Sequence, residues 1–229
     1  MLETIHSTQD LRALPLSGQV ALAEEIRREI VRVVAKNGGH LSSNLGTVEL
    51  TIALHNVYDP KTDRILFDVG HQSYTHKLLT GRYERFDTLR QMGGLSGFMR
   101  PGESACDPCV TGHASSGISV GLGMARARDL KGTNEQVVVV VGDGALTGGL
   151  CYEALNDAGQ AKTGLVVVLN DNEMSISRNV GALGGYLTGL RQSTPYRSFK
   201  RGVRGALNRL PRMRRALERL RDALKRLFV

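Results

Sequence analysis

The sequence has few cysteines and no long hydrophobic run. No apolar stretch approaches the roughly 20 residues that cross a bilayer, and the first 25 residues lack the apolar core of a signal peptide. Its three cysteines cannot all pair, and a soluble metabolic protein usually keeps its thiols reduced. The content of 41% hydrophobic and 23% charged residues is that of an ordinary globular domain. We therefore expect a cytoplasmic protein with no membrane contact.

Two of the cysteines, Cys106 and Cys109, have the spacing of a CxxC motif, which occurs in redox pairs and in half of a zinc site. The sequence contains no second pair, and the surrounding segment is rich in Pro, Gly and Ser. Two incidental thiols are therefore the simpler interpretation. Cys151 is expected to be a small core residue.

The positive charge is concentrated at the end of the chain. Residues 191–229 contain 13 Lys or Arg and two acidic residues, a net charge of +11, whereas residues 1–190 sum to −3. Apolar residues in this tail recur at helical spacing: Met213, Leu217, Leu220, Leu224 and Leu227. Such a helix can lie on an anionic membrane, bind nucleic acid without specificity, or pack on its own protein. We favour packing, and expect neither a membrane nor a specific nucleic acid as partner.

Two apolar runs that end in polar residues carry the strongest chemical signal. The five valines at 137–141 predict a buried parallel strand, followed by Gly142, Asp143 and Gly144. Ligands of open α/β sheets collect at the carboxyl edge, where glycines let a diphosphate approach the backbone. Asp143 would be a metal ligand there, and Asn172, beyond the run at 165–169, would add an amide oxygen. Such hard oxygen ligands suit Mg²⁺.

The remaining sequence alternates helical and strand patterns. Helices are predicted at residues 18–36, 48–55 and 115–130, and a short strand at 64–69. Gly38 and Gly39 are suited to a left-handed cap of the first helix. The pattern predicts an α/β fold with a mostly parallel sheet flanked by helices. An irregular segment is expected around residues 177–185.

Six segments together resemble the 1-deoxy-D-xylulose-5-phosphate synthase family of transketolase-like enzymes. The similarity covers about residues 14–187 and implies an incomplete thiamin diphosphate-binding domain at residues 1–190, followed by a basic, partly helical connector at 191–229. The segments are GGHLSSNLGTVELTIALH (38–55), DVGHQSYTHKLLTGR (68–82), GGLSGF (93–98), TGHASSGISVGLGMARARDLKG (111–132), GDGALTGG (142–149) and LNDNEMSISRNVGALG (169–184).

The resemblance implies roles for individual residues. Asp143 and Asn172 would bind magnesium, and His40 and His71 would be catalytic, titrating near neutrality. The residues implied in binding thiamin diphosphate are His71, Gly112, His113, Ala114, Gly144, Ala145 and Asn172. Where the family commonly has GHSS, this chain has Ala114, which removes a hydroxyl but keeps the backbone contact.

Other acids and histidines receive no such role. Glu153 is expected to be a surface or capping carboxylate, and Glu173 is given no catalytic role. His55 and His76 carry no functional prediction.

The resemblance also implies a reaction and partners. Family members condense pyruvate with glyceraldehyde 3-phosphate in the synthesis of isoprenoid and thiamin precursors. Their cofactor lies between this domain and a pyrimidine-binding domain whose Glu is not matched in the 229 residues. We therefore expect a homodimer or a complementing chain to supply the rest. Two alternatives are a truncated non-catalytic fragment and one subunit of a split transketolase-like enzyme.

Overall fold

The computed structural model describes residues 1–170, which alternate helices and parallel strands. The helices and strands, in chain order, are α1 (Thr8–Ala13), α2 (Leu16–Asn37), α3 (Leu41–Leu45), α4 (Val48–Val57), β1 (Arg64–Phe67), α5 (Tyr74–Leu79), α6 (Gly117–Lys131), β2 (Val137–Gly142), α7 (Gly149–Ala161) and β3 (Val166–Asn170). Short 3-10 turns lie at Leu2–Thr4, Phe86–Thr88 and Ala145–Thr147.

The three strands form one parallel sheet in the order β1-β2-β3. Arg64 pairs with Val137 in the first ladder, and Gly142 pairs with Asn170 in the second. The valines at 137–141 are each at most 1% exposed, because β2 is central and both of its faces are covered. The predicted α/β class, the parallel sheet and the buried valine strand are therefore confirmed.

Helices cover the two faces of the sheet differently. On one face Val139 packs in a core with residues of α6 and α7, including Ile118 and Cys151. Gly121 of α6 lies so close to Val139 that a Cβ there would collide with its Cγ2 atom. On the other face Phe67 and the remaining inward side chains pack against α4 and Met99. Cys151 is thus a buried core residue, as predicted.

A separate apolar core surrounds the long helix α2. Ile26, Ile30 and Val33 have no exposed surface and pack against α4 and α5. Helix α2 ends at Asn37, and Gly38 has a φ of 75°. Its ψ of 170° lies outside the left-handed helical region, so the predicted left-handed cap is wrong, although a positive φ still favours glycine. Gly132 after α6 does adopt that left-handed conformation.

One predicted strand and one predicted helix are longer than the corresponding elements of the structure. Strand β1 ends at Phe67 rather than at residue 69, and Val69 has a φ of 61°. Helix α6 begins at Gly117 rather than at residue 115, because Ser115 has a φ of 73°. Neither positive φ is compatible with the regular element.

The predictions for Asn172, Glu173, the segment at 177–185 and the connector at 191–229 lie outside the described residues. The domain boundary at residue 190 lies there too. Within residues 1–170, no helix is long and apolar enough to cross a membrane.

Candidate functional site

Asp143 lies at the carboxyl edge of the sheet, directly after β2. Its backbone amide donates to the carbonyl oxygen of Asn170 at 3.3 Å, which joins the turn to the end of β3. Gly144 and Ala145 follow, and helix α7 begins four residues beyond Ala145, at Gly149. The structure therefore places Asp143 and Gly144 on the edge that the valine strand predicted, and Ala145, which the family resemblance implied, follows them directly. The segment at 142–149 is hereafter called the Asp143 turn.

The segment at 112–117, hereafter the His113 turn, lies at the same edge and enters α6. Gly112, His113 and Ala114 are exposed. Among the residues that the structure describes, no acceptor is bound to their three backbone amides. The side chain of Ala114 is also exposed, so the methyl group that replaces the family's hydroxyl faces outward.

Asp68 accepts hydrogen bonds from the backbone of the His113 turn. It follows β1 and is only 1% exposed. One carboxylate oxygen accepts from the Ser115 amide at 2.8 Å, and the other accepts from the Gly117 amide at 2.7 Å. The sequence patterns did not single out Asp68, although it lies near the end of a predicted strand and close to His71 in DVGH.

The two turns touch through Ser115. Its hydroxyl donates to the Ala145 carbonyl oxygen at 2.7 Å. The thiol of Cys151 lies 3.3 Å from the Ser115 carbonyl oxygen and 3.4 Å from that of Ala145. The residues predicted to bind a diphosphate are therefore brought together by direct contacts between the turns.

The two histidines that were predicted to be catalytic are neighbours. The rings of His40 and His71 are 5.1 Å apart between centroids and meet edge to face. Burial, with a smaller contribution from His40, lowers the pKa of His71 to about 4. Burial and the charge of Arg90 lower the pKa of His40. The expectation of titration near neutrality is therefore wrong for His71, which is neutral at pH 7.

Both rings keep one unused polar atom. The Nδ1 atoms of His40 and His71 are buried and have no hydrogen-bond partner within residues 1–170. Buried polar atoms are usually bonded, so these two are available to a ligand. Phe98 packs against His40 edge to face, with a centroid distance of 6.1 Å.

Asn44 holds the backbone of both histidines. Its side-chain nitrogen donates to the carbonyl oxygens of His40 and His71 at 2.6 and 2.7 Å. Its side-chain oxygen accepts from the Tyr74 amide at 3.0 Å. The side chain is fully buried, so one residue sets the relative positions of α3, α5 and the His71 loop. Nothing in the sequence distinguished Asn44 from the polar residues around it.

Arg90 is an exposed residue whose charge acts on His40. It has a φ of 64°, and its side chain packs against Gly97 and near Gly39. Within residues 1–170 its guanidinium forms no ion pair. Its charge adds a positive potential beside His40.

His55 of α4 and His76 of α5 belong to a buried polar network. Their rings join through Nε2 of His55 and Nδ1 of His76 at 3.0 Å, and Nε2 of His76 reaches Asp107 at 3.0 Å. Arg82 donates to both oxygens of Asp107 at 2.8 and 2.9 Å. Lys77 and Glu103 pair alongside at 2.6 Å. Every side chain of this network is at most 8% exposed, which is typical of a structural cluster.

The CxxC motif contains Asp107, one residue of this network. Cys106 and Cys109 flank the Asp107 region, and both thiols are free. Burial, with a smaller contribution from Asp107, raises the pKa of Cys109, so its thiolate is disfavoured. The part of the chain that the structure describes holds no group of three or more His, Cys, Asp or Glu that could bind a metal. These observations favour the interpretation of incidental thiols. Glu153 is exposed on α7, in agreement with a surface carboxylate.

Comparison with known proteins assigns a family. A family model described as 1-deoxy-D-xylulose-5-phosphate synthase matches residues 2–229. Proteins named 1-deoxy-D-xylulose-5-phosphate synthase from Pelotomaculum thermopropionicum and Syntrophomonas wolfei are 54% and 53% identical to the chain over its whole length. One from Thermomicrobium roseum is 55% identical over 98% of it. The chain spans about 36% of the length of each of these relatives.

Proposed function

The chain belongs to the 1-deoxy-D-xylulose-5-phosphate synthase family, and from this we propose that it binds Mg²⁺ and the diphosphate of thiamin diphosphate for that enzyme. The whole activity proposed is the thiamin diphosphate-dependent transfer that joins pyruvate and glyceraldehyde 3-phosphate, a step of isoprenoid and thiamin precursor synthesis. Because the chain spans about 36% of its relatives, a homodimer or a complementing chain is proposed to supply the remaining groups.

The contact between the two turns carries this proposal. The Ser115 hydroxyl and the Ala145 carbonyl oxygen are 2.7 Å apart, so the exposed amides of the His113 turn lie beside the Asp143 turn. Backbone amides at a sheet edge favour phosphate oxygens. Asp143 provides a carboxylate for a cation that phosphate oxygens can share. The donor set therefore fits a magnesium diphosphate group, and Asn172 is proposed as the second metal ligand.

The paired histidines fit the other part of the cofactor and the substrate. At neutral pH His71 carries one proton, so one nitrogen of its ring donates and the other accepts. The buried Nδ1 atoms of His40 and His71 can each hold or receive a proton from a bound molecule. Arg90 adds a positive charge near His40, which suits anionic substrates.

When bound, thiamin diphosphate supplies the nucleophilic carbon that carries the two-carbon unit, and the protein binds and orients it. The residues of this chain hold the diphosphate at the sheet edge and keep neutral imidazoles beside Phe98. Their part is thus anchoring and proton placement.

Calorimetric titration with thiamin diphosphate tests the proposal. We expect the full chain to bind the cofactor with Mg²⁺ and to lose this binding when Mg²⁺ is chelated. Asp143→Ala should abolish the metal-dependent part, whereas the control Asp157→Ala, which removes a surface carboxylate of α7 paired with Arg126, should not. Equal binding by Asp143→Ala and the unmodified chain would overturn the metal assignment. Absence of binding by the unmodified chain would favour a non-catalytic fragment.

A further inference from the structure

We propose that Asp68 and Ser115 are positioning residues that couple the His113 turn to the Asp143 turn, so that the two turns bind the diphosphate as one preorganised unit. The proposal rests on the proposed function, because it concerns the same ligand. Asp68 is buried, and the Ser115 hydroxyl is bonded to the Asp143 turn. Each acts through the backbone that would contact the ligand.

The first element is the charge of Asp68. A carboxylate with 1% exposure is costly unless it is fully bonded, and Asp68 meets this need with the amides of Ser115 and Gly117. Gly117 is the first residue of α6, where unpaired amides and the helix dipole favour an anion. Asp68 thus takes the place that a phosphate could occupy at this helix start. The amides at 112–114 are left for an external anion.

Glycine is required at this contact. A Cβ at Gly117 would lie 2.8 Å from Oδ2 of Asp68 and 3.1 Å from its Cα atom. The carboxylate can therefore reach both amides only because residue 117 has no side chain. This close approach fixes the His113 turn against the end of β1.

The second element is the hydroxyl of Ser115. This residue has a φ of 73°, a backbone conformation that is strained for a residue other than glycine. A glycine would remove that strain, but it could not form the 2.7 Å bond to Ala145. Gly148 faces the same hydroxyl so closely that a Cβ there would collide with Oγ of Ser115. The Ser115 side chain therefore fits between the two turns because Gly148 has no side chain.

Together these contacts form a continuous connection between the turns. Asp68 binds the Ser115 amide, the Ser115 hydroxyl binds the Ala145 carbonyl, and Cys151 lies against both carbonyl oxygens. A shift of either turn would stretch the hydrogen bonds that join it to the other turn. The spacing between the amides at 112–114 and those at 144–145 is then set before any ligand arrives.

Two substitutions at one position separate positioning from stability. Ser115→Ala and Ser115→Gly both remove the hydroxyl, but only glycine relieves the positive φ. If the hydroxyl positions the turns, both variants should bind thiamin diphosphate with Mg²⁺ about 10-fold more weakly, within the range typical of supporting contacts. They should do so even though Ser115→Gly unfolds at a higher temperature than Ser115→Ala.

Ser116→Ala is the matched control. Among the described residues 1–170, the Ser116 hydroxyl bonds only within its own turn, to the His113 carbonyl oxygen at 3.3 Å, so its loss should leave the affinity unchanged. Asp68→Asn should weaken binding by about 10- to 100-fold. Affinities that follow the unfolding temperatures, or equal losses in Ser115→Ala and Ser116→Ala, would overturn the inference.

Hydrogen exchange tests the coupling without any ligand. Ser115→Ala in the full chain should accelerate amide exchange at 144–147, across the gap, while Ser116→Ala should not. Unchanged exchange there in Ser115→Ala would overturn the inference. Faster exchange in a chain that fails to bind thiamin diphosphate would support the coupling and refute only the proposed function.

Discussion

Nε2 of His76 lies 3.0 Å from Oδ1 of Asp107, and neither side chain has exposed surface. The carboxylate accepts, so His76 carries its proton on Nε2 and its Nδ1 accepts from His55. In this assignment Nδ1 of His55 is an acceptor that receives no hydrogen bond, in agreement with its lack of a partner in the described chain. Both rings are therefore neutral in the folded protein.

Removing the charge of Asp107 should destabilise the protein severely. Burial opposes its ionisation, but hydrogen bonds from His76 and Arg82 hold the pKa of Asp107 well below its usual value. Asp107→Asn leaves the buried Arg82 without its bidentate partner, and we expect a loss of about 3–5 kcal/mol in the free energy of unfolding. The exposed pair of Asp157 and Arg126 provides the control, since Asp157→Asn should cost about 0–1 kcal/mol. Urea denaturation measures both, and similar losses would contradict the prediction.

The stability of the protein should fall as the pH is lowered from about 6.5 to about 4. A histidine in the unfolded chain takes up a proton near pH 6.5, whereas folded His71 does so near pH 4. Burial lowers the pKa values of His55 and His76 in the same direction. Between these limits the unfolded state binds more protons, so acid favours unfolding.

Denaturation at a series of pH values measures this dependence. The His71→Gln variant should show a shallower decline, because it lacks one of the contributing groups. A free energy of unfolding that does not change between pH 6.5 and pH 4 would contradict the pKa assignments.

Two glycines on α6 should respond oppositely to alanine. Gly121→Ala forces a methyl group into Val139, and we expect a loss of about 1–3 kcal/mol. Gly123→Ala meets no atom within 4 Å and should gain up to about 1 kcal/mol from helix propensity. Thermal unfolding of the two variants measures the difference. Equal effects would show that α6 does not pack on β2 as described.

Loss of the Asn44 side chain should disturb both candidate catalytic histidines. Asn44→Ala removes the side-chain donor to the part-buried carbonyl oxygens of His40 and His71, and we expect a loss of about 1–3 kcal/mol in the free energy of unfolding. The neighbouring exposed Ser42 offers a control, since Ser42→Ala should have little effect. Denaturation gives the stability, and histidine ring signals in NMR spectra give the geometry. Unchanged ring signals in Asn44→Ala would argue against a positioning role.

The sequence alone predicted those parts of the fold that patterns of neighbouring residues determine. The valines at 137–141 predicted β2, because only a strand covered on both faces accommodates such a run. Asp143 was found because its turn follows that strand directly. The motif at 111–114 was placed correctly beside it, through the family resemblance.

The missed residues depend on partners far away in the sequence. Asp68 contacts Gly117, 49 positions later, and His76 contacts Asp107, 31 positions later. From sequence alone, a charged residue such as Lys77 is expected on the solvated surface. Only the folded chain shows that Lys77 is buried against Glu103, with burial lowering its pKa.

The parallel pairing of Arg64 with Val137 has a consequence for how the protein acquires its shape. These residues are far apart along the chain, and closing so long a loop costs entropy before the ladder returns any energy. Asp68 stands at the end of β1, so it can reach the amides of α6 only once that ladder exists. During synthesis, about 70 further residues must emerge after β1 before its partner strand is available. The edge on which the two turns lie is therefore a late product of folding, and slow strand pairing would delay it first.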